Sequence, residues 1–236
     1  MKDKNITLGR SYYYEFFAIP FFFSEKDEKF NLWKKQLDYL KNSLISNENL
    51  DDFKALSKFS FDEFRAEQNR LLYDYSYSNI PLTASFYKEG RDEGLAKKLV
   101  LDTLRKSKFR KNSELCKDSE DFIGFIFYLM SSLLKDEVNT NAFLSTELFV
   151  NVINEFIDEF IDFIKGGKEA DFYLHLANLM QSFFELERSI LAVEKPKLKP
   201  SVAKEMIEKQ PYLSNLKTTK EKFNWDDNKI KLNKFI

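Results

Sequence analysis

The sequence contains few of the residues that interrupt helices. Of its 236 residues only six are glycine and five are proline, about half the share that average chains carry. Folds rich in strands need a turn about every 8–12 residues, and glycine and proline make many of those turns. The sequence therefore predicts a mostly helical protein, and its length fits one large domain or two small ones.

Histidine and cysteine occur once each, as His175 and Cys116. A single cysteine excludes an intramolecular disulfide and a zinc site built from several cysteines. A single histidine excludes two-histidine metal sites, and no GxSxG motif precedes it to indicate a hydrolase triad. These absences favour a binding protein over an enzyme, and no metal site is predicted.

Long apolar runs and targeting signals are also missing. The longest apolar run covers residues 122–134 and contains a glycine and two serines, whereas a membrane-spanning helix needs about 20 residues. Acidic residues interrupt the N-terminal segment, and no small-residue cleavage site follows its phenylalanines. We therefore expect a soluble, cytoplasmic protein.

What the sequence does contain is apolar residues spaced every three or four positions, the period of amphipathic helices. Ser60 and Glu63 form a capping-box pattern for a helix that reaches about residue 75. Ser119 is expected to cap another helix and to place Glu120 and Asp121 in its first turn. Residues 76–87 lack a helical period and are predicted as a loop. Further helices are predicted at about residues 6–19, 24–44, 50–58, 91–107, 145–164, 169–193 and 202–210.

Basic residues concentrate at the C-terminal end. Residues 195–236 carry eleven lysines against five acidic residues, a net charge of +6, while the rest of the chain carries −7. We therefore divide the chain into a helical domain over residues 1–194, with a polar hinge at about residues 106–118, and a lysine-rich extension over residues 195–236. Such an extension is usually a solvated tail, but it could instead dock on the acidic domain.

Several short segments together carry a resemblance that no single one of them would. In chain order they read SYYYEFFAIPF, AEQNRLLYDY, IPLTASFYKEG, SEDFIGFIFYLMSSLL and ADFYLHLANLMQSFFELE. Over roughly residues 8 to 190 this order and spacing resemble the TorD/DmsD/NarJ family of redox-enzyme maturation chaperones. The resemblance implies an all-helical, TorD-like bundle of two helical halves that is not an enzyme.

The resemblance also implies the partners. Family members bind, in the cytoplasm, the twin-arginine signal peptide of a molybdenum or tungsten oxidoreductase, and some also bind the apoprotein and assist cofactor insertion. Formate dehydrogenase is our first expectation for the client, with N-oxide, sulfoxide and nitrate reductases as alternatives. No cofactor is expected, apart from the weak guanine-nucleotide binding of some family members. The chain would act as a monomer or homodimer in anaerobic respiration.

The resemblance extends to a candidate signal-peptide site. Phe122 stands where the family has the histidine of its Asp-His signature, and Ile126 and Tyr128 stand where carboxylates are expected one turn on. The positions that match the family's pattern are Glu67, Leu72, Tyr73, Pro81, Ser85, Tyr87 and Asp121.

The chemistry of the signal peptide supports such a site. Two guanidinium groups followed by an apolar helical stretch need carboxylates beside an apolar groove, and the acidic domain would attract a basic peptide. We expect Glu67, Glu120 and Asp121 to pair with the arginines. The apolar stretch is expected to contact Leu72, Tyr73, Phe86, Tyr87 and Phe122.

Alternative interpretations stay open at this point. Glu120 and Asp121 could serve only to stabilise the start of a helix, and Tyr73 and Tyr87 could be ordinary half-buried tyrosines. The whole chain could be a helical regulatory adaptor that binds another protein, or nucleic acid through its basic extension. In that case removal of residues 195–236 would abolish a salt-dependent affinity.

Overall fold

The computed structural model describes residues 3–42, 49–74, 79–140, 142–197 and 200–209. Within these ranges every regular element is a helix, and one isolated bridge joins Thr83 to Phe122. The prediction of an all-helical fold is confirmed. None of the described helices is long and apolar enough to cross a membrane. The helices are α1 (Lys4–Ala18), α2 (Glu28–Leu40), α3 (Leu50–Leu56), α4 (Phe61–Gln68), α5 (Ala84–Glu89), α6 (Leu95–Lys106), α7 (Ile123–Glu137), α8 (Leu144–Leu148), α9 (Asn154–Lys165), α10 (Phe172–Leu191) and α11 (Val202–Glu208).

Local sequence signals account for several helix ends. The Asp3 carboxylate caps α1 by accepting a hydrogen bond from the Asn5 amide at 2.8 Å. Ser60 and Glu63 form the predicted capping box at the start of α4, which satisfies two amides that the helix itself cannot bond. Gly90 ends α5 with a positive φ of 67°, a backbone conformation that costs glycine little.

The core is built largely from aromatic side chains. Helix α1 packs most extensively against α7, and α10 packs against α3 and α9. The Trp33 indole N–H donates to the Phe16 carbonyl at 3.1 Å, and the Tyr173 hydroxyl donates to the Pro20 carbonyl at 2.6 Å. Burying each of these large side chains contributes roughly 1.5–3 kcal/mol, and their polar atoms bond one carbonyl of α1 and one of the turn that follows it.

Two predicted elements were wrong in the same place. Residues 76–87 were expected to form a loop, but Ala84–Glu89 is helical. Ser119 was expected to cap the next helix, but α7 begins only at Ile123, so Glu120 and Asp121 precede it. A tertiary contact accounts for the late start of α7: backbone hydrogen bonds join residues 82–84 to residues 121–123, and Thr83 and Phe122 at the centre of this pairing are extended, so each helix begins directly after it.

Two predicted helices contain a π-helical turn that the sequence pattern does not reveal. Residues Asn69–Tyr73 form one such turn directly after α4, and Phe149–Ile153 form another between α8 and α9. A π turn inserts an extra residue into the helical ladder and occurs often at functional sites. The first turn carries Leu72 and Tyr73 of the predicted site.

The described part of the basic extension docks on the body. Helix α11 packs on α5, with Ala203 fully buried. The Ser201 hydroxyl donates to Glu159, and the Lys195 ammonium lies 3.5 Å from the Asp158 carboxylate. Both acids belong to α9, so charge complementarity holds this part of the extension in place. The predicted end of the second helix at residues 43–44 lies outside the described ranges. So do residues 75–78, at the predicted boundary between the fourth helix and the loop, and residues 210–236 of the extension.

Candidate functional site

Two remote stretches of the chain form the centre of the candidate site. The Ala84 amide donates to the Asp121 carbonyl at 2.9 Å, and the Ile123 amide donates to the Leu82 carbonyl at 2.8 Å. This pairing brings the start of α5, with Ser85 on it, next to the backbone that leads into α7. The sequence-predicted residues of these two stretches therefore do lie together.

The Asp121 side chain is buried without a partner. It has no exposed surface, and neither carboxylate oxygen accepts a hydrogen bond from the described residues. The hydroxyl oxygens of Ser85 and Ser119 are likewise buried and unbonded. Buried polar groups nearly always have hydrogen-bond partners, and an unpaired buried charge is costly. The carboxylate of Asp121 and the hydroxyls of Ser85 and Ser119 are therefore buried polar groups whose hydrogen bonds the described residues do not supply.

Two lysine ammonium groups lie at Glu120, the residue that precedes Asp121. The Lys111 and Lys97 nitrogens lie 3.2 Å and 3.7 Å from the two carboxylate oxygens of Glu120. Partial burial alone would raise the pKa of Glu120, but a backbone hydrogen bond and these two cations outweigh burial and lower it. A hydrogen bond to Glu93 raises the pKa of Lys97 despite some desolvation, and nearby carboxylates, Asp121 among them, raise it further.

An aromatic surface adjoins the carboxylates. The rings of Phe122 and Phe22 lie 5.0 Å apart between centroids, and those of Phe22 and Tyr128 lie 5.6 Å apart. Tyr128 also lines a groove of about 470 Å³ between α1, α2 and α7. The groove exposes large apolar side chains, with Tyr39 63% and Leu32 58% accessible. The other residues that line it are Tyr12, Glu15, Ile19, Lys35, Gln36 and Leu40.

Glu67 does not belong to this surface. Its carboxylate is buried and accepts hydrogen bonds from the amides of Asp171, Phe172 and Tyr173, each at 2.9 Å. These are amides at the start of α10, which the helix itself leaves unbonded. Glu67 therefore caps a remote helix, and its oxygens are already occupied. The expectation that Glu67 pairs with an incoming arginine does not fit this geometry.

Of the remaining predicted residues, some are buried in the core and others are only partly buried. The Tyr87 hydroxyl donates to the Pro81 carbonyl at 2.8 Å, and burial raises the pKa of Tyr87 well above its usual value. Leu72 is buried as well, so neither Leu72 nor Tyr87 offers a surface to a ligand. Tyr73 and Phe86 are only partly buried. Tyr73 donates to a backbone carbonyl of the turn after α1 and contacts the exposed ring of Phe23.

Sequence reasoning missed Lys97, Lys111, Phe22 and Tyr128 as members of the site. The four-residue spacing of Glu93 and Lys97 is the spacing of ion pairs on helices, and the two side chains do pair, although Glu93 itself precedes α6. No local pattern could place that pair next to residues 120–122. Within the described ranges, no group of histidine, cysteine and carboxylate side chains is arranged to hold a metal ion.

Comparison with known proteins gives one result. A family model described as nitrate reductase delta subunit matches residues 32–164, more than half of the chain. The matched span contains all the sequence-predicted site residues, from Glu67 to Phe122. No curated protein matches the sequence.

Proposed function

The chain belongs to the nitrate reductase delta subunit family, whose members are chaperones of molybdoenzyme maturation, and on that basis we propose what it binds. We propose that it holds the twin-arginine signal peptide and the apoprotein of a molybdenum or tungsten oxidoreductase in the cytoplasm. Binding would delay export until the cofactor is loaded. The chain itself would carry out no chemistry and would need no cofactor.

The observation that carries this proposal is the unpaired carboxylate of Asp121. A buried carboxylate with no partner is unfavourable, so a ligand that supplies a positive charge and N–H donors would gain affinity there. A guanidinium group meets both needs, because its planar fork donates two parallel hydrogen bonds to one carboxylate. The unbonded hydroxyl oxygens of Ser85 and Ser119 offer further acceptors for its remaining N–H groups.

The second arginine would pair with Glu120. This carboxylate is only partly buried, and its negative charge is favoured, since its pKa lies below the ordinary value. Its present partners are lysines on flexible side chains. Two neighbouring carboxylates, one buried and one near the surface, therefore suit two neighbouring arginines.

The aromatic groove suits the apolar part of a signal peptide. Its residue nearest to the carboxylates is Tyr128, which connects through the ring of Phe22 to Phe122, and the groove continues from Tyr128 to Tyr12 and Tyr39. A helical apolar segment that follows the arginines would bury its side chains against these rings. Aromatic side chains lose little entropy on binding, which suits clients of variable sequence. Tyr73, which contacts Phe23, and Phe86, which follows Ser85 on α5, are partly buried and could contribute further contacts.

This proposal revises the set of site residues. Asp121, Glu120 and Ser85 are retained as polar contacts. Phe122 is no more exposed than Tyr87, so it is retained only as the buried ring that connects these residues to Phe22. Other residues of the sequence prediction have structural roles. Glu67 caps the start of α10, the Tyr87 hydroxyl bonds the Pro81 carbonyl just before α5, and Leu72 is buried in the core.

A titration tests the proposal. The probe is a synthetic peptide with two adjacent arginines followed by an apolar alanine–leucine segment, and a second peptide carries glutamines in place of the arginines. We expect the wild-type chain to bind the first peptide and to discriminate against the second. We expect Asp121→Asn to lose about tenfold or more in affinity, because a hydrogen bond to a charged group contributes about 1.5–3 kcal/mol.

Asp118→Asn is the matched control. Asp118 is exposed, lies in the same connection between α6 and α7, and loses the same charge on substitution. Equal affinities for the wild type and Asp121→Asn would overturn the assignment of Asp121. Equal affinities of the wild type for the two peptides would overturn twin-arginine recognition as a whole.

The identity of the client needs a separate experiment. Formate dehydrogenase remains our first proposal, with N-oxide, sulfoxide and nitrate reductases behind it. The tagged chain would be purified from its native cytoplasm and its partners identified by mass spectrometry. A molybdopterin subunit that retains its twin-arginine signal is the expected partner. Recovery of nucleic acid or of an unrelated regulator would instead favour the adaptor alternative.

A further inference from the structure

We propose that Lys97 and Lys111 are internal competitors for the arginines of the client. In the free chain they pair with Glu120 at the edge of the site, and the incoming guanidinium groups displace them. This inference rests on the proposed function, because it concerns how the same site is regulated. It assigns to two lysines a role in setting affinity and specificity.

The first step is the position of the two ammonium groups. Lys97 lies on the first turns of α6, with its nitrogen 2.7 Å from Glu93 and 3.7 Å from Glu120. Lys111 lies on the connection that follows α6, and its nitrogen is 3.2 Å from Glu120 and also donates to the Asp118 carbonyl. Two positive charges thus occupy the entrance of the site, the same number that a twin-arginine peptide brings.

The second step is that these lysines do not complete the site. Neither of them hydrogen-bonds Asp121, whose oxygens remain unbonded and hidden from solvent. Lys97 and Glu120, whose side chains are 24% and 19% exposed, lie near the buried Asp121: Glu120 precedes it in the chain, and Asp121 is close enough to help raise the pKa of Lys97. Because Asp121 has no exposed surface, a ligand can reach it only if neighbouring side chains move.

The third step is that exchange favours arginine over lysine. A partly exposed lysine–carboxylate pair contributes only about 0–1 kcal/mol, and a released ammonium regains strong hydration. A guanidinium can bond a carboxylate with two N–H groups and needs less hydration. The charge of the site is unchanged by the exchange, but the buried oxygens gain the donors that they lack.

The consequence is a threshold on ligand charge. A peptide with one arginine can replace only one of the two internal cations, and it leaves the other lysine to compete for Glu120. A peptide with two arginines replaces both. Internal competition therefore lowers the affinity for every cationic segment, and only an arginine pair gains guanidinium hydrogen bonds at both carboxylates to offset it, which is how discrimination arises from a difference of affinities.

The test uses three full-length forms: wild type, Lys97→Met and Lys98→Met. Methionine keeps a long unbranched side chain and removes the charge. Lys98 is the matched control, because it is the next residue on α6, is exposed, and its substitution changes the net charge equally. At low salt we expect Lys97→Met to bind the arginine-pair peptide about fivefold more tightly than Lys98→Met does, which corresponds to about 1 kcal/mol. Equal or weaker binding by Lys97→Met would overturn the inference.

A second measurement does not depend on client recognition. The probe is N-acetylarginine amide, which carries one guanidinium, and the readout is the shift of the melting temperature with probe concentration. We expect a larger rise for Lys97→Met than for the wild type or Lys98→Met, because the vacated position accepts the probe.

The two measurements separate the two proposals. A larger rise for Lys97→Met, without peptide binding by any form, would support the internal competitor and contradict the proposed function. Peptide binding that is equal in Lys97→Met and Lys98→Met would support the function and contradict the competitor. Failure of both measurements would overturn both.

Discussion

Glu187 and Asp121 are both fully buried carboxylates, but their surroundings are opposite. Glu187 of α10 accepts two hydrogen bonds from the Arg10 guanidinium, each at 2.7 Å, and one from the Tyr14 hydroxyl at 2.9 Å. Asp121, before α7, accepts none. Burial and the charge of Glu187 together raise the pKa of Tyr14 well above its usual value, so the hydroxyl stays protonated as a donor.

The contrast separates structural from functional carboxylates. Glu187 ties α10 to α1 with all its hydrogen bonds made within the chain, and Glu67 does the same between α4 and α10. A third buried acid, Glu137, bonds the amide and hydroxyl of Ser145 at 2.8 Å each. Among these four buried acids, Asp121 is the one that accepts no hydrogen bond from the described residues. Because buried polar groups nearly always have partners, this exception is expected of a group that binds a ligand.

The largest effect is expected at Glu187. Glu187→Gln should lower the free energy of unfolding by about 3–5 kcal/mol, because it leaves the Arg10 guanidinium buried without its counter-charge. Urea unfolding measures this loss. Glu185→Gln, exposed on the same helix, is the control and should change stability by less than about 0.5 kcal/mol. A loss at Glu187 no larger than the control's would mean that its ion pair does not join the two helices.

A smaller loss is expected at Glu67, where the lost partners are amides and not a cation. Glu67→Gln should cost about 2–3 kcal/mol, because the new amide nitrogen faces an N–H donor of α10. At temperatures where the variant is folded, its affinity for the arginine-pair peptide should equal that of the wild type. If Glu67→Gln lost peptide affinity without losing stability, Glu67 would be a binding residue and its assignment as a helix cap alone would be wrong.

Substitution of Asp121 should increase the free energy of unfolding, whereas substitution of Glu187 or Glu67 should lower it. Asp121→Asn keeps the shape of the side chain and replaces a buried carboxylate that has no hydrogen-bond donor among the described residues with a neutral amide, so stability should rise by about 1–2 kcal/mol. The melting temperatures of the free wild type and variant measure this change. If the variant instead melts well below the wild type, Asp121 has a structural partner and the contrast with Glu187 fails.

The smallest expected difference is between two buried serine hydroxyls, the hydrogen-bonded one of Ser145 and the unbonded one of Ser85. Ser145→Ala removes a bonded buried hydroxyl and should cost about 1 kcal/mol, whereas Ser85→Ala removes an unbonded one and should cost about 0. Paired melting curves of the two variants measure the difference. Equal losses in both would show that Ser85 is bonded in the free chain.

The features predicted correctly from the sequence are those with local causes. The capping box at Ser60 and the apolar spacing of α7, α9 and α10 depend on residues within a few positions of each other, so the sequence displays them directly. The family resemblance also rested on the order of such segments. The family match over residues 32–164 confirmed it.

The features that were missed have remote causes. The start of α7 moved to Ile123 because residues 121–123 pair with residues 82–84, and Glu67 is occupied by amides more than a hundred positions away. Such contacts leave no periodic signal in the sequence. The same holds for Lys97 and Lys111, which resemble ordinary surface lysines until the fold places them beside Glu120.

The most direct test of the account is a structure of the chain bound to the arginine-pair peptide. We predict that one guanidinium lies about 2.7–2.9 Å from the Asp121 carboxylate oxygens, that the other pairs with Glu120, and that the apolar segment lies along the groove lined by Tyr128. A bound peptide that leaves both Asp121 oxygens unbonded would contradict the central claim.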